Sequence, residues 1–216
     1  MRLFIYGNGG LGREVYDVAK RINNKYKKYD NIYFINDYEY DNKTTFSFEE
    51  IVNRSWNKEN HEVVIAMGEV NHRVKILSKL KEYNFKLGKL IDPSSIISEK
   101  AVLHDGCVIC PFVFIGPDSV IGENTLINVQ SIIGHDIHIG ANSVVSSMAI
   151  IGGNSRIGDE CYLGMSSVVK EKTKIEYKSV LSMGAVLFND LPEKVIAIGN
   201  PARIIRKVED DFNIFK

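Results

Sequence analysis

Every sixth residue from Ile91 to Leu187 is aliphatic, in an unbroken series of seventeen that begins Ile91, Ile97, Leu103, Ile109, Ile115 and ends Leu181, Leu187. Neither the 3.6-residue period of a helix nor the two-residue alternation of a flat strand produces a strict six. A short fixed period marks a solenoid, in which each repeat buries its apolar face against its neighbours. Two residues before each aliphatic site the chain prefers something small, such as Ser95, Ala101, Cys107, Ser119, Thr125 and Ala185; Val113 and Ile137 are exceptions. The residue after the aliphatic site is often glycine: Gly116, Gly122, Gly134, Gly140, Gly152, Gly158 and Gly164. A tight corner that demands positive φ accounts for glycine at that place.

The other bulk properties narrow the function classes. Lys plus Arg equals Asp plus Glu at 27 each, so the net charge is zero. A broad electrostatic grip on nucleic acid or anionic lipid is not expected. No apolar run reaches membrane-spanning length and the N-terminus lacks a signal-type apolar region, which points to a cytoplasmic location and no membrane partner. Cys107 and Cys110 form a C-x-x-C without a second pair, and Cys107 and Cys161 fall on the small-residue site of the repeat, so the thiols read as structural. The five histidines have no ligand spacing, and no metal site is expected.

Residues 1–88 read differently, as alternating strands and helices. Apolar runs at 2–6, 32–35 and 62–67 are expected strands. Helical spacing predicts helices from about Gly12 to Asn23, from Phe48 to Arg54 behind the capping box Ser47-Phe-Glu-Glu50, and over about 71–84. Tyr38 to Thr45 has no period and is expected to be a loop. Such alternation implies parallel βαβ units and about half of a Rossmann domain. Gly7-Asn8-Gly9-Gly10-Leu11-Gly12 follows the first strand and opens the first helix, the context that a phosphate-binding glycine loop requires. Alone it would suggest NAD, but the domain is too short for a second mononucleotide half. Asp37 ends the second strand, where a carboxylate suits a nucleotide base or ribose. Gly68, after the third strand, and Arg73 are candidates to line the same crevice. Three domains are expected: 1–88, Rossmann-like and nucleotide-sugar-binding; 89–190, the repeat; and 191–216, a tail with Gly199-Asn200-Pro201-Ala202 before a basic end. Residues Asp210 to Lys216 are expected to fray.

The repeat L/I/V-G-x-x-small-x resembles the hexapeptide repeat of left-handed parallel β-helices, triangular prisms with three hexapeptides per coil. That resemblance implies roughly five coils and, at about 4.8 Å per coil, a prism about 25 Å tall. It also sorts the outward residues into three rows, every eighteenth residue apart. Ile96, Phe114, Ile132, Ile150, Val168 and Val186 form one apolar row. Val108, Leu126, Val144, Tyr162 and Val180 form a second. Val102, Val120, His138, Arg156 and Lys174 form a third that turns polar. Two exposed apolar rows exceed what a soluble monomer tolerates, so the prism is expected to pack on its own copies, most simply as a homotrimer.

The glycine loop, the unbroken hexapeptides and the G-N-P-A element together resemble the sugar acyltransferases of bacterial surface-glycan pathways, which include nucleotide-linked amino-sugar N-acetyltransferases and sialic acid O-acetyltransferases. The resemblance covers essentially the whole chain. It implies an α/β half-Rossmann domain followed by a left-handed β-helix, a trimer with sites between subunits, and acetyl-CoA as co-substrate. It implies acetyl transfer to the amine of a UDP- or dTDP-linked amino-deoxy sugar, probed against O-acetylation of a sugar or sialic acid hydroxyl as the alternative. In the family's pattern His135 is the general base and Asp136 orients it. Gly7, Gly9, Gly10, Gly12, Asp37, Gly68 and Asn128, placed in the coil above, answer to the nucleotide sugar. Gly152, Gly153, Gly164, Gly184, Asn200, Pro201 and Ala202 answer to the co-substrate, with Arg203, Arg206 and Lys207 near its phosphates. The chain departs from the pattern at Tyr6, before the glycine loop, at Met183, and at Val144, where some relatives carry a second histidine.

Overall fold

The computed structural model describes residues 1–41, 43–54, 60–209 and 212–215. The chain starts with β1 (Arg2–Tyr6), α1 (Gly10–Tyr26), β2 (Asn31–Ile35), β3 (Thr45–Phe46), α2 (Phe48–Asn53), β4 (His61–Ile65) and α3 (Val70–Glu82). The strands form one parallel sheet in the order β3-β2-β1-β4. Thr45, expected at the end of a loop, instead opens the edge strand β3. Strand alternation divides the core, as period two requires. Leu3 and Ile5 pack with Val15, Val18, Ala19 and Ile22 of α1, while Phe4 and Tyr6 pack with Phe48, Ile51, Leu77 and Leu80 on the other side. The Ser47 hydroxyl caps α2 by accepting the Glu50 N–H at 3.1 Å, as the capping box predicts.

Seventeen two-residue strands follow, from β5 (Leu90–Ile91) to β21 (Val186–Leu187), each one hexapeptide apart. They stack as three parallel sheets in which every residue pairs with the one eighteen positions on, for example Val120 with His138 and Ile132 with Ile150. At three strands per coil, seventeen strands make just under six coils, one more than length alone indicates. The aliphatic residues point inward and form a continuous core along the prism axis, from Ile109 through Ile133 and Ile157 to Leu187. Small hydroxyl residues lock successive coils. Ser119, Thr125, Ser131, Ser143 and Ser155 each donate to a corner carbonyl fifteen residues on, at 2.8–3.0 Å.

The corner glycines have a different reason from the expected one. From Leu103 to Leu181, positive φ falls three residues after each aliphatic site, at Asp118, Asn124, Gln130, Asp136, Asn142 and their equivalents. The glycine directly after the aliphatic site lies outside that region. Its need is space: a Cβ on Gly116 would stand 2.7 Å from Gly134 O, and one on Gly164 would stand 2.4 Å from Met183 N. Stacking coils about 4.8 Å apart leaves no room for it.

We call the faces first, second and third in the order of the outward rows above. The second face is covered by the chain itself. Val108, Leu126 and Val144 are buried against Leu3, Ile5 and α1, and the sheet they belong to is extended by β22 (Val195–Ile198) and β23 (Arg203–Lys207). The expectation that both apolar rows need other copies is therefore corrected: intramolecular packing of the N-terminal domain satisfies one of them. Arg21 with Asp92, at 2.6 Å, and Lys81 with Glu123, at 2.5 Å, tie the two parts together at the seam. The first face stays open, with Ile96, Phe114, Ile132 and Ile150 exposed. The third face is the polar one expected, with His138, Arg156 and Lys174 exposed.

The end of the chain also differs from the frayed terminus expected. Phe212 and Ile214 pack on Val180, Ile196 and Val208, and the Phe215 ring meets Tyr162 edge-on at 5.9 Å. Asn71 Nδ2 donates to Phe212 O and Ile214 N to Glu69 Oε2, each at 2.8 Å. Phe212 and Ile214, half-buried, supply the apolar surface that docks this segment, while Phe215 stays largely exposed. Residues 210, 211 and 216 lie outside the described residues.

Candidate active site

Two separate features of the chain carry chemistry. The first is a crevice of about 510 Å³ at the carboxyl ends of β1, β2 and β4, lined by Tyr6 to Leu11, Ile35 to Tyr38, Ala66, Met67, His72, Lys75 and Ile76. Gly7 has φ +108, and a Cβ there would stand 2.8 Å from Ala66 O, so only glycine makes this turn without strain. Gly9 and Gly10 face open space. α1 begins there with Gly9 as N-cap, no side-chain cap and no acidic residue in its first turn. Its first intrahelical bond is Arg13 N–H to Gly9 O, so the N–H groups of Gly10, Leu11 and Gly12 lack helical partners. Free amides and the positive end of a seventeen-residue helix suit an anion.

The predicted crevice residues sort into lining and support. Gly7, Gly9 and Gly10 line it. Gly12 is buried behind it, where a Cβ would stand 2.2 Å from Gly7 O, so this glycine allows the helix to close on the strand. Asp37 lines the crevice with its carboxylate already engaged. It accepts from Tyr6 OH at 2.6 Å, Phe48 N at 2.8 Å and Lys79 Nζ at 3.1 Å. Burial raises its pKa, but these bonds outweigh that and hold it below the ordinary value. Burial, and then the same contact, push the Tyr6 hydroxyl up, and the bond it donates to Asp37 gives the tyrosine before the glycine loop a role. Gly68 lies outside the crevice, packed under the Phe215 ring. Arg73 is fully buried and so is neither a lining nor a solvent-facing residue. His72 and Lys75 line the crevice from α3 and were not singled out by sequence, because each belongs to a helix face and to no motif.

The second feature is the corner between the first and third faces. His135 and Asp136 stand there between β12 (Ile132–Ile133) and β13 (His138–Ile139). His135 Nδ1 lies 2.7 Å from Asp136 Oδ2, with both side chains more than half exposed. The backbone beneath them is held on every side. Asp136 N donates to Pro117 O at 3.0 Å, and His135 O accepts from Asn154 N at 2.9 Å. Ser119 Oγ donates to Gly134 O at 2.8 Å and accepts from Ile137 N at 3.1 Å, bracketing the pair. The imidazole lies over Gly153, one coil on: a Cβ at Gly153 would stand 2.6 Å from Nε2. An Nδ1–H given to the carboxylate leaves Nε2 with a free lone pair, the arrangement of a general base.

Of the other predicted positions, Gly152 and Gly153 share this corner. Asn128 does not sit in the coil above; it stands at the corner between the second and first faces, with Oδ1 3.5 Å from Cys110 Sγ. Gly164 and Gly184 lie on that same corner, and Asn200, Pro201 and Ala202 follow there after β22. Gly184 has open space around its Cβ position, and Ala202 N bonds Val186 O at 2.8 Å. Arg203, Arg206 and Lys207 are exposed on β23, with Arg206 over the Phe212 ring at 4.8 Å. Val144 is buried under the N-terminal domain, on a different face from His135. The cysteines are buried free thiols that burial pushes up, to about 11 for Cys107 and about 12 for Cys110 and Cys161, so they are inert. Among the described residues no cluster fit to hold a metal ion is found, and no helix is long and apolar enough to cross a membrane.

Comparison with known proteins gives two family matches. Residues 2–80 match the PglD N-terminal domain and residues 91–202 the GMPPB C-terminal domain. Among solved structures, the acetyltransferase domain of PglB from Neisseria gonorrhoeae FA1090 in complex with acetyl coenzyme A is 26% identical, covering 94% of this chain and 98% of that one, with a TM-score of 0.87. WeeI from Acinetobacter baumannii AYE is 25% identical over 95% and 100%, at 0.86. PerB from Caulobacter crescentus, solved with CoA and GDP-perosamine, shares the fold at 23% identity and 0.84, over 95% of this chain and 98% of that one.

Proposed function

The chain belongs to the hexapeptide-repeat sugar acetyltransferases, its residues 91–202 to the GMPPB C-terminal domain family, and from this we propose that it moves acetyl from acetyl-CoA to the amine of a UDP- or dTDP-linked amino-deoxy sugar. One observation carries the reading. The candidate residues fall on the two edges of the first face, the one apolar face left exposed. His135, Asp136, Gly152 and Gly153 stand on one edge; Asn128, Gly164, Gly184 and Asn200 to Ala202 stand on the other. The second edge also exposes Phe112, Met148, Met165 and Met183. A threefold assembly around the first face buries these apolar groups and brings the His135 edge of one subunit to the other edge of the next. The crevice belongs to the domain that covers the second face, across the prism from its own His135, so it too serves a neighbour's histidine.

In that site the free amides of α1 hold the diphosphate, and the sugar amine points to a neighbour's His135. Nε2 takes a proton as the amine nitrogen attacks the thioester carbonyl. A C–N bond forms, the C–S bond breaks, and CoA leaves as thiol with a proton returned by the histidine. Asp136 steadies the imidazolium that forms between these steps. No acyl-enzyme is needed, because the buried cysteines cannot serve as nucleophiles and both substrates are positioned together.

Mixed trimers test this arrangement. Gly9→Asp puts a carboxylate at the N-cap of α1, which satisfies the helix and repels a phosphate. Neither Gly9→Asp nor His135→Ala homotrimers should turn over. Co-assembled in equal amounts, they should recover about a quarter of wild-type activity, because one site in four pairs an intact crevice with an intact neighbouring histidine. Absence of recovery in verified mixed trimers would place the whole site within one chain and overturn the arrangement.

A further inference from the structure

Arg73 of α3 has 0% exposure. Its Nη1 donates to Ile65 O and Met67 O, each at 2.9 Å. Its Nη2 donates to Asn124 Oδ1 at 2.9 Å and to Asn124 O, and its Nε has no hydrogen-bond partner. Every acceptor is a neutral oxygen. Among the described residues no carboxylate pairs with it; the acidic side chain at the same corner, Glu123, is taken by Lys81. Burial lowers the guanidinium to about 10, which still leaves it charged at neutral pH. A buried charge with no counter-charge is costly, and an anion bound nearby would offset that cost.

The place of that charge identifies the anion. Met67, whose carbonyl Arg73 grips, lines the crevice with its neighbour Ala66, directly beside Gly7 of the glycine loop. Ala66 O is the atom that a Cβ on Gly7 would meet at 2.8 Å. The guanidinium therefore lies one backbone layer behind the wall, on the same crevice as the uncapped start of α1. His72 and Lys75, on the same helix as Arg73, face into that crevice. We propose that Arg73 is a positioning residue that holds the Ile65–Met67 wall and supplies, through it, the fixed positive charge that balances a substrate diphosphate it does not touch. The proposal rests on the crevice being the nucleotide-sugar site.

A charge ladder of ligands separates this role from a purely structural one. Uridine, UMP and UDP, with the thymidine series beside them, are titrated calorimetrically into the full-length protein. Asn124→Asp is the informative variant. It places a carboxylate where Oδ1 now lies 2.9 Å from Nη2, so Arg73 keeps its grip while its charge is cancelled; the Nδ2 that now donates to Asn142 Oδ1 at 2.8 Å is replaced by an acceptor, and the Asn142 amide must turn over to donate in its place. Asn124 has φ 55, a conformation that aspartate also adopts. UDP affinity should fall roughly tenfold, UMP less, and uridine by less than about twofold, as expected for a charge acting at a distance in a medium of intermediate dielectric. Arg73→Lys, checked for an intact thermal transition, should retain most of the UDP preference over uridine. An equal loss on all rungs, or an unchanged UDP affinity in Asn124→Asp, would overturn the electrostatic role and leave the crevice reading standing. A wild-type protein that binds no member of either series, nor of the guanosine series run beside them, would defeat the crevice reading itself, and this proposal with it.

Discussion

His135→Ala should lower kcat by about 10²–10⁴-fold, the usual range for loss of a general base, while leaving thermal stability and assembly unchanged. The side chain is more than half exposed, paired with Asp136 and lying over Gly153, so its removal opens no buried cavity. The crevice proposed for the nucleotide lies in another domain, so UDP binding should be unaffected. Asp136→Asn should cost less, because it removes only the group that fixes the tautomer and stabilises the imidazolium. Gly153→Ala makes a companion test. Its methyl group would reach to 2.6 Å from Nε2 and force the ring off its seat, so kcat should fall although every catalytic atom is still present. Wild-type turnover in purified His135→Ala would refute the base assignment.

The second large effect is expected from the exposed face. Ile132→Glu together with Ile150→Glu should convert the proposed trimer to a monomer in sedimentation velocity at micromolar concentration and abolish turnover. The two side chains are adjacent rungs on the first face, and both are exposed in the single chain. Burying one isoleucine at an interface contributes about 1.5–3 kcal/mol, and each glutamate adds the cost of a charge taken from water without a partner. Within the isolated chain the same substitutions should be nearly neutral, since both positions already face solvent, and circular dichroism should show the β-helix intact. A trimer that survives both substitutions would move the interface elsewhere. A monomer with undiminished turnover would contradict a site shared between subunits.

The period of six made the β-helix readable because a solenoid repeats one local solution, and each hexapeptide states it again. The N-terminal elements were readable from apolar spacing and from Ser47, whose capping geometry is local. What escaped depends on contacts distant in sequence. Nothing in the row Val108, Leu126, Val144 distinguishes a face that meets another copy from one covered by the chain's own α1. The corner glycines suggested positive φ, yet that conformation sits two residues later, at Asp136 and its equivalents, and the glycines answer to the next coil. Arg73 was expected to line the crevice, and its burial was not legible because its acceptors are backbone and amide oxygens, the nearest in sequence from Met67 and the farthest from Asn124. The docking of Phe212 to Phe215 was hidden by a short polar stretch before it. At the site, His135 and Asp136 are neighbours in sequence and so were legible as a pair. The seat at Gly153 and the Ser119 bracket are each one coil away and became visible only in three dimensions.

In the proposed reaction an amine on a nucleotide-linked sugar receives acetyl from acetyl-CoA at His135. It is tested most directly by following free thiol release from acetyl-CoA across a panel of UDP-, dTDP- and GDP-linked amino sugars, with mass analysis of the sugar product. At least one acceptor should release thiol in step with a product heavier by one acetyl group on nitrogen, and His135→Ala should abolish that signal. No release with any amino sugar, or release that yields an O-acetylated product instead, would contradict it.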